Sequence, residues 1–168
     1  MGTLIVFWKQ LRAAHHALRG KAILDTLEIL EGKDNIVREL RRVLRGAIQQ
    51  ANAAKRQFDF HSLTPDEQKQ VDQLAREYDK MGLLVKHGAI PINIVFDFYS
   101  KPIVQAWEAL QGHITEERKA RNQPGHMRKF ETLAIGAALH RNQQHSEHPP
   151  MPDKHQIKEW NRWKTWRS

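Results

Sequence analysis

Four histidines, His140, His145, His148 and His155, gather around one proline-containing stretch of a chain that has ten histidines and no cysteine. Imidazoles in a flexible segment bind zinc, nickel or copper without thiolates. Their spacing follows neither a helical repeat nor a finger pattern, so they are read as polar residues of a linker, with no metal ligand and no cofactor assigned. His15, His16 and His61 stand apart and carry no assigned role. Acid–base chemistry would need a carboxylate or imidazole held in a dry cleft. Asp79, Asp97 and Glu108 lie in the apolar middle of the chain and are the carboxylates to examine. Glu108, beside Trp107, is read as the partner of Arg118 in an ion pair between two helices. No catalytic residue is assigned: there is no nucleophile elbow, phosphate loop, dinucleotide fingerprint or zincin helix. An enzyme is the least favoured reading.

Binding is the better prospect, because charge is abundant and uneven. The formal net charge is +8. Residues 1–60 carry eleven Lys/Arg against six Asp/Glu, residues 61–112 five against seven, and residues 113–168 eleven against six. Two basic ends therefore flank a near-neutral centre, which favours anionic partners such as nucleic acid or lipid headgroups. Arg38, Arg41, Arg42 and Arg45 share part of the outer face of one helical segment. Trp160, Trp163 and Trp166 recur every third residue among Arg162, Lys164 and Arg167. These ten residues are the candidate anion or partner contacts. The tail echoes a homeodomain recognition helix only superficially, since its Asn161 follows the Trp too closely and no second Arg stands where one is needed. Indoles favour boundaries between apolar and wet regions. Three fates for the tail follow: docking on its own core, binding a partner or a second copy, or lying on an anionic membrane.

Helices must position these residues. From Ala22 to about Ala54 apolar residues recur at three- and four-residue steps, interrupted near Gly32, Asp34 and Asn35, so a second helix should start near Asn35. Residues 55–63 form a connector holding Phe58 and Phe60. Thr64-Pro65-Asp66-Glu67 is a capping box with Pro at the first helical position. The helix it starts has Val71, Leu74, Ala75, Tyr78 and Met81 on one face, and Gly82 is placed to end or interrupt it. A short apolar piece then runs to Gly88. Pro91 opens the next helix, in which Pro102 should produce a kink or break near Phe98–Lys101. Gly112 closes that segment, and a polar helical stretch covers His113 to Arg121. The breaker Pro124-Gly125 precedes a helix from about His126 to Gln143. Tyr78, Leu84, Phe98, Ile103, Trp107 and Leu133 are the expected centre of the core.

The residues Tyr78-Asp79-Lys80-Met81-Gly82-Leu83-Leu84-Val85, Gly88 with Ile90, Val95-Phe96, Trp107-Glu108, Ile114 with Glu117-Arg118, and Phe130-Glu131-Thr132-Leu133-Ala134 together resemble a bacterial helical family, domain of unknown function 4760. The resemblance covers roughly residues 64–134. It implies a helical domain and brings no active site with it. Members often carry a transmembrane helix ahead of the domain, and no such run precedes it in this sequence.

The expected fold is all-α: an irregular helical bundle of about five to seven helices, one kinked near Pro102. Residues 1–143 form the bundle, residues 144–153 a His- and Pro-containing linker, and residues 154–168 a basic Trp-bearing terminal helix. No apolar run approaches the roughly 20 residues of a membrane span, and the default address is the cytoplasm. The leading function is a non-enzymatic interaction module that binds a protein partner or self-associates into a homo-oligomer. The rival is electrostatic binding of nucleic acid or an acidic membrane through the basic ends.

Overall fold

Thr64 and Glu67 make a reciprocal cap: the Thr64 N–H donates to Glu67 Oε2 at 2.9 Å, and the Glu67 N–H donates to Thr64 Oγ1 at 3.4 Å. With Pro65 supplying a pre-set φ and no orphan donor, this cap begins a 22-residue helix, Pro65–Lys86. In the computed structural model the described residues are 36–144 together with 157, 158, 160 and 161. The chain divides between Asn35 and Ile36, and every described residue belongs to the second unit.

Four helices are present among the described residues: α1 (described over residues 36–53), α2 (Pro65–Lys86), α3 (Ile92–Ala120) and α4 (Arg128–Gln144). A 3-10 turn, Phe60–Ser62, lies between α1 and α2, and residues 157, 158, 160 and 161 are helical. No strand occurs among the described residues, and the class is all-α. None of the described helices is long and apolar enough to cross a membrane.

Among the described residues the helices are fewer than the expected five to seven because α2 and α3 run on through Gly82 and Gly112, where ends were expected, and α3 also continues through Pro102. The expected helix from Ala22, the linker beyond Gln144 and most of the terminal helix lie outside the described residues. Gly82 lies inside α2 rather than at its end. The real terminator is Gly88, at φ +73°, where the Ala89 N–H reaches back to the Leu84 carbonyl at 3.0 Å. That six-residue closure is the usual way a left-handed residue ends a helix. Gly82 serves packing instead: a Cβ there would stand 2.5 Å from the Lys129 carbonyl oxygen, so only Gly lets α2 approach the start of α4. Pro102 does not break α3. It removes the bond to the Phe98 carbonyl, and Phe98 lies on the open side of the helix, 68% exposed, a side that solvent reaches. Gly112 is likewise interior to α3, which ends only at Ala120 with Asn122 in the left-handed region at φ 51°.

α4 is the centre of the unit. Residues 132 to 138 are all buried, as expected of a helix enclosed on every side, and α4 packs on both α2 and α3, which touch each other little. Its Phe130 stacks on Tyr78 of α2 at 5.2 Å between centroids and meets Trp107 of α3 edge-on at 5.3 Å. Asp79 ties α2 to α4 a second way. Its Oδ1 accepts the backbone N–H groups of Lys129 at 2.9 Å and Phe130 at 3.0 Å, capping the first turn of α4 from a neighbouring helix.

Of the expected core, Tyr78, Ile103 and Leu133 are fully buried, while Leu84 and Trp107 keep one side open. Phe98 is a correction. Lys101 and Gln105, three and seven positions further along α3, share its side of the helix and are both exposed, so Phe98 belongs to the open face. The buried stripe runs instead through Val95, Phe96, Ile103, Ala106, Leu110 and Ile114.

Candidate functional site

The buried stripe of α1 is Val37, Leu40, Leu44, Ala47 and Ala51. Arg41 and Arg45 follow one position after Leu40 and Leu44, about a quarter-turn away on the cylinder, so they stand at the edge of the buried face. There α1, Phe58 and α3 enclose a groove of about 500 Å³, within the usual range of ligand-binding clefts. Leu44, Ile48, Phe58, Pro102 and Ala106 supply its apolar surface; Arg41, Arg45, Gln49, Gln105 and Glu108 supply its polar one. The Arg41 guanidinium lies 5.6 Å from the centre of the Tyr99 ring on α3, a cation–π contact that orders it. Glu108 is exposed, yet partial desolvation at the groove wall pushes its carboxyl up from its ordinary range, and the positive charge of Arg141 on α4 pulls it back in part.

A second pocket of about 320 Å³ shares Phe58, Glu108 and Ala109 with the groove and is lined further along by His61, His113 and Glu116. The 3-10 turn that presents His61 is well braced. Asp59 Oδ1 accepts the His61 N–H at 2.9 Å, and Gln68 Nε2 donates to the carbonyls of Leu63 at 3.1 Å and Phe60 at 3.5 Å. Phe60 stacks on the His113 ring at 3.5 Å, and His61 meets the same ring edge-on at 5.8 Å. His113 Nε2 lies 3.2 Å from Asp72 Oδ1 on α2. Its buried Nδ1 has no hydrogen-bond partner among the described residues. His61 Nε2 lies 3.0 Å from Glu116 Oε2, and this bond outweighs the desolvation that opposes it and, with the charges of Glu116 and Asp59, raises the His61 pKa. Next along α3, Glu117 pairs with His126 at 3.0 Å and also with Arg121. The sequence left His61 without a role; the signal for this cluster was the run His113, Glu116, Glu117, whose three- and four-residue steps put all three on one face of a helix.

The sequence candidates are distributed as follows. Arg41 and Arg45 both line the groove. Arg42 turns to Glu39 at 2.8 Å on the exposed side, and Arg38 is exposed outside the groove. Trp160 is folded onto the body: it is 8% exposed, its ring is 5.8 Å from Phe96, and a side chain at Gly136 would collide with it. This burial takes Trp160 out of any open contact surface. Arg162, Trp163, Lys164, Trp166 and Arg167 lie outside the described residues, as do His145, His148 and His155.

The carboxylates also resolve. Asp79 is spent on the α4 cap. Asp97 Oδ1 lies 3.4 Å from His140 Nε2. The expected Glu108–Arg118 pair is corrected: both residues sit on the continuous α3, ten positions or about 15 Å apart along its axis. Arg118 instead binds Glu131 at 2.9 Å and the His126 carbonyl at 2.7 Å.

Residues 1–136 match a family model described as "Domain of unknown function (DUF4760)". The match extends well upstream of the residues that carry the resemblance in the sequence. Neither the curated proteins nor the solved structures contain a match to the chain.

Proposed function

The chain belongs to the DUF4760 family, and because that membership carries no activity with it, we propose a function from the groove itself: a non-enzymatic helical interaction module that receives an acidic, apolar-anchored segment of a partner protein. The observation that carries this reading is the apolar surface of Leu44, Ile48, Phe58 and Ala106 set beside Arg41 and Arg45. An apolar side chain from a partner fills such a cleft, while carboxylates flanking it meet the two guanidiniums with a geometry that favours paired hydrogen bonds. The Tyr99 contact reduces the entropy that Arg41 loses on binding. The cysteine-free sequence suits a reducing compartment such as the cytoplasm.

The test is fluorescence anisotropy with a labelled peptide in which Leu and Phe alternate with Asp and Glu. Its counterpart with Lys in place of every acid is the control. The acidic peptide should bind and the basic one should not. Arg41→Glu with Arg45→Glu should weaken binding by at least about tenfold through like-charge repulsion. Gln105→Trp, at an exposed position of the groove wall, should block it without disturbing the core. Binding that survives both changes overturns the reading. Sedimentation velocity of the unliganded protein reports whether a second copy of the chain supplies the segment. Duplex DNA binding that collapses between about 50 and about 200 mM salt, with no peptide affinity, would favour the electrostatic rival.

A further inference from the structure

We propose that His61, His113 and Glu116 form a binding site for one divalent transition-metal ion of the zinc class. One ligand atom from each lies within 4.8 Å of the other two. Zinc–ligand bonds of about 2.0–2.1 Å in a tetrahedron place ligand atoms about 3.3 Å apart, so a closure of at most roughly 1.5 Å completes the set. The side chains that must move are free to do so: His61 is 63% and Glu116 66% exposed. His113, 11% exposed, is the fixed member.

How His113 is held argues for a ligand rather than a bystander. Phe60 clamps the ring face, and Asp72 engages Nε2, leaving Nδ1 without a hydrogen-bond partner among the described residues. A carboxylate on one imidazole nitrogen fixes the tautomer, orients the ring and makes the other nitrogen a better donor to a metal. An exposed His–Glu pair contributes little to stability by itself, so a braced turn and a clamped ring exceed what the pair requires. A second set, Asp72, His113 and Glu117, also brings its ligand atoms within 4.8 Å of one another, but Glu117 is already engaged by His126 and Arg121. Two nitrogens and one carboxylate oxygen suit zinc, cobalt or nickel rather than magnesium or calcium, which prefer oxygen alone. Three protein ligands leave a coordination position open to water or to a donor from a bound partner.

The experiment uses the full chain, stripped with chelator and titrated with Zn²⁺ against a chromophoric competitor; Co²⁺ absorption reports the ligand field. One equivalent should bind at the proposed site. His61→Ala and Glu116→Gln, both at exposed positions that leave the fold intact, should each weaken that equivalent by on the order of a hundredfold. Asp72→Asn should weaken it about ten- to a hundredfold, the usual effect of removing a carboxylate behind a ligating His. Replacing His145, His148 and His155 together by Ser should leave it unchanged. The proposal is overturned if the wild-type protein fails to bind Zn²⁺ at micromolar levels. It is overturned equally if His61→Ala and Glu116→Gln bind as tightly as wild type, or if the triple Ser variant abolishes binding. Peptide affinity at the groove is read separately, so either proposal can fail alone.

Discussion

Replacing Asp79 by Ala should be among the most damaging single changes at a polar position of this domain. The carboxylate accepts two backbone N–H groups at 2.9 and 3.0 Å from residues 50 and 51 positions away. Those donors belong to the first turn of α4, which has no intrahelical partners for them. Phe130, one of the two residues, is fully buried, so water cannot readily substitute. Hydrogen bonds to a charged group are worth about 1.5–3 kcal/mol, and stranding a buried donor costs about 1–3 kcal/mol. Because these overlap rather than add, the net loss for Asp79→Ala is about 2–3 kcal/mol. Asp79→Asn keeps an acceptor oxygen and loses only the charge opposite the helix dipole, about 0.3–1 kcal/mol. Urea unfolding followed by circular dichroism gives both values. In a chain of this size the Ala variant should melt about 5–10 °C lower. If Asp79→Ala proves as stable as wild type, the cross-helix cap contributes nothing and the account of how α4 is anchored is wrong. A stabilising Asp79→Ala would go further, marking a strained residue retained for chemistry.

Two other outcomes follow from the same contacts. Gly82→Ala should destabilise, because its Cβ meets the Lys129 backbone; Gly112→Ala, in the interior of α3 with nothing within 4 Å of a new Cβ, should stabilise by roughly 0.5–1 kcal/mol, and melting temperatures that move the same way would refute the contrast. Glu67 has its pKa lowered by the Thr64 N–H first and the Thr64 hydroxyl second, so the unfolded chain holds more protons around the ordinary carboxylate value of 4.5. The cap's contribution is then complete above that value and is lost as pH falls through the lower folded one. Melting between about pH 3 and about pH 6 should show a shallower acid slope for Glu67→Gln than for wild type.

What the sequence made legible was set by local chemistry. The α2 cap could be read in four residues because Thr and Glu each satisfy a specific backbone donor at a helix start and Pro removes one. The helical class was equally legible from spacing alone. The breaks were misread because Gly and Pro are ambiguous without their surroundings. Gly82 looks like a terminator and is a contact point with α4, whereas Gly88 carries the left-handed conformation. Phe98 looks like core by type, yet the residues that follow it on the same side of α3 are Lys101 and Gln105. The two arginines of the groove were in the candidate set for their charge. Nothing local separated Arg41 and Arg45 from Arg38 and Arg42, because only the position of α3 decides which arginines face a cleft.

The misread break in α3 also explains why the histidine site went unseen. With a helix end at Gly112, Glu108 and His113 belong to different elements and have no defined relation. With α3 continuous, Gln105, Glu108, Ala109, Gly112, His113 and Glu116 stand at positions i, i+3, i+4, i+7, i+8 and i+11, along one face. The opposite face is held by α4, so this one remains for α1 and the 3-10 turn, and both pockets open along it. His61 joins only because the turn after α1 returns the chain to α3, 55 residues away from Glu116 in sequence. A helix that stays continuous through a proline and a glycine thus brings an arginine-edged groove and a histidine cluster within about 12 Å of each other, the axial span from Glu108 to Glu116. Phe58 and Phe60, two residues apart in one connector, line the first and clamp the second.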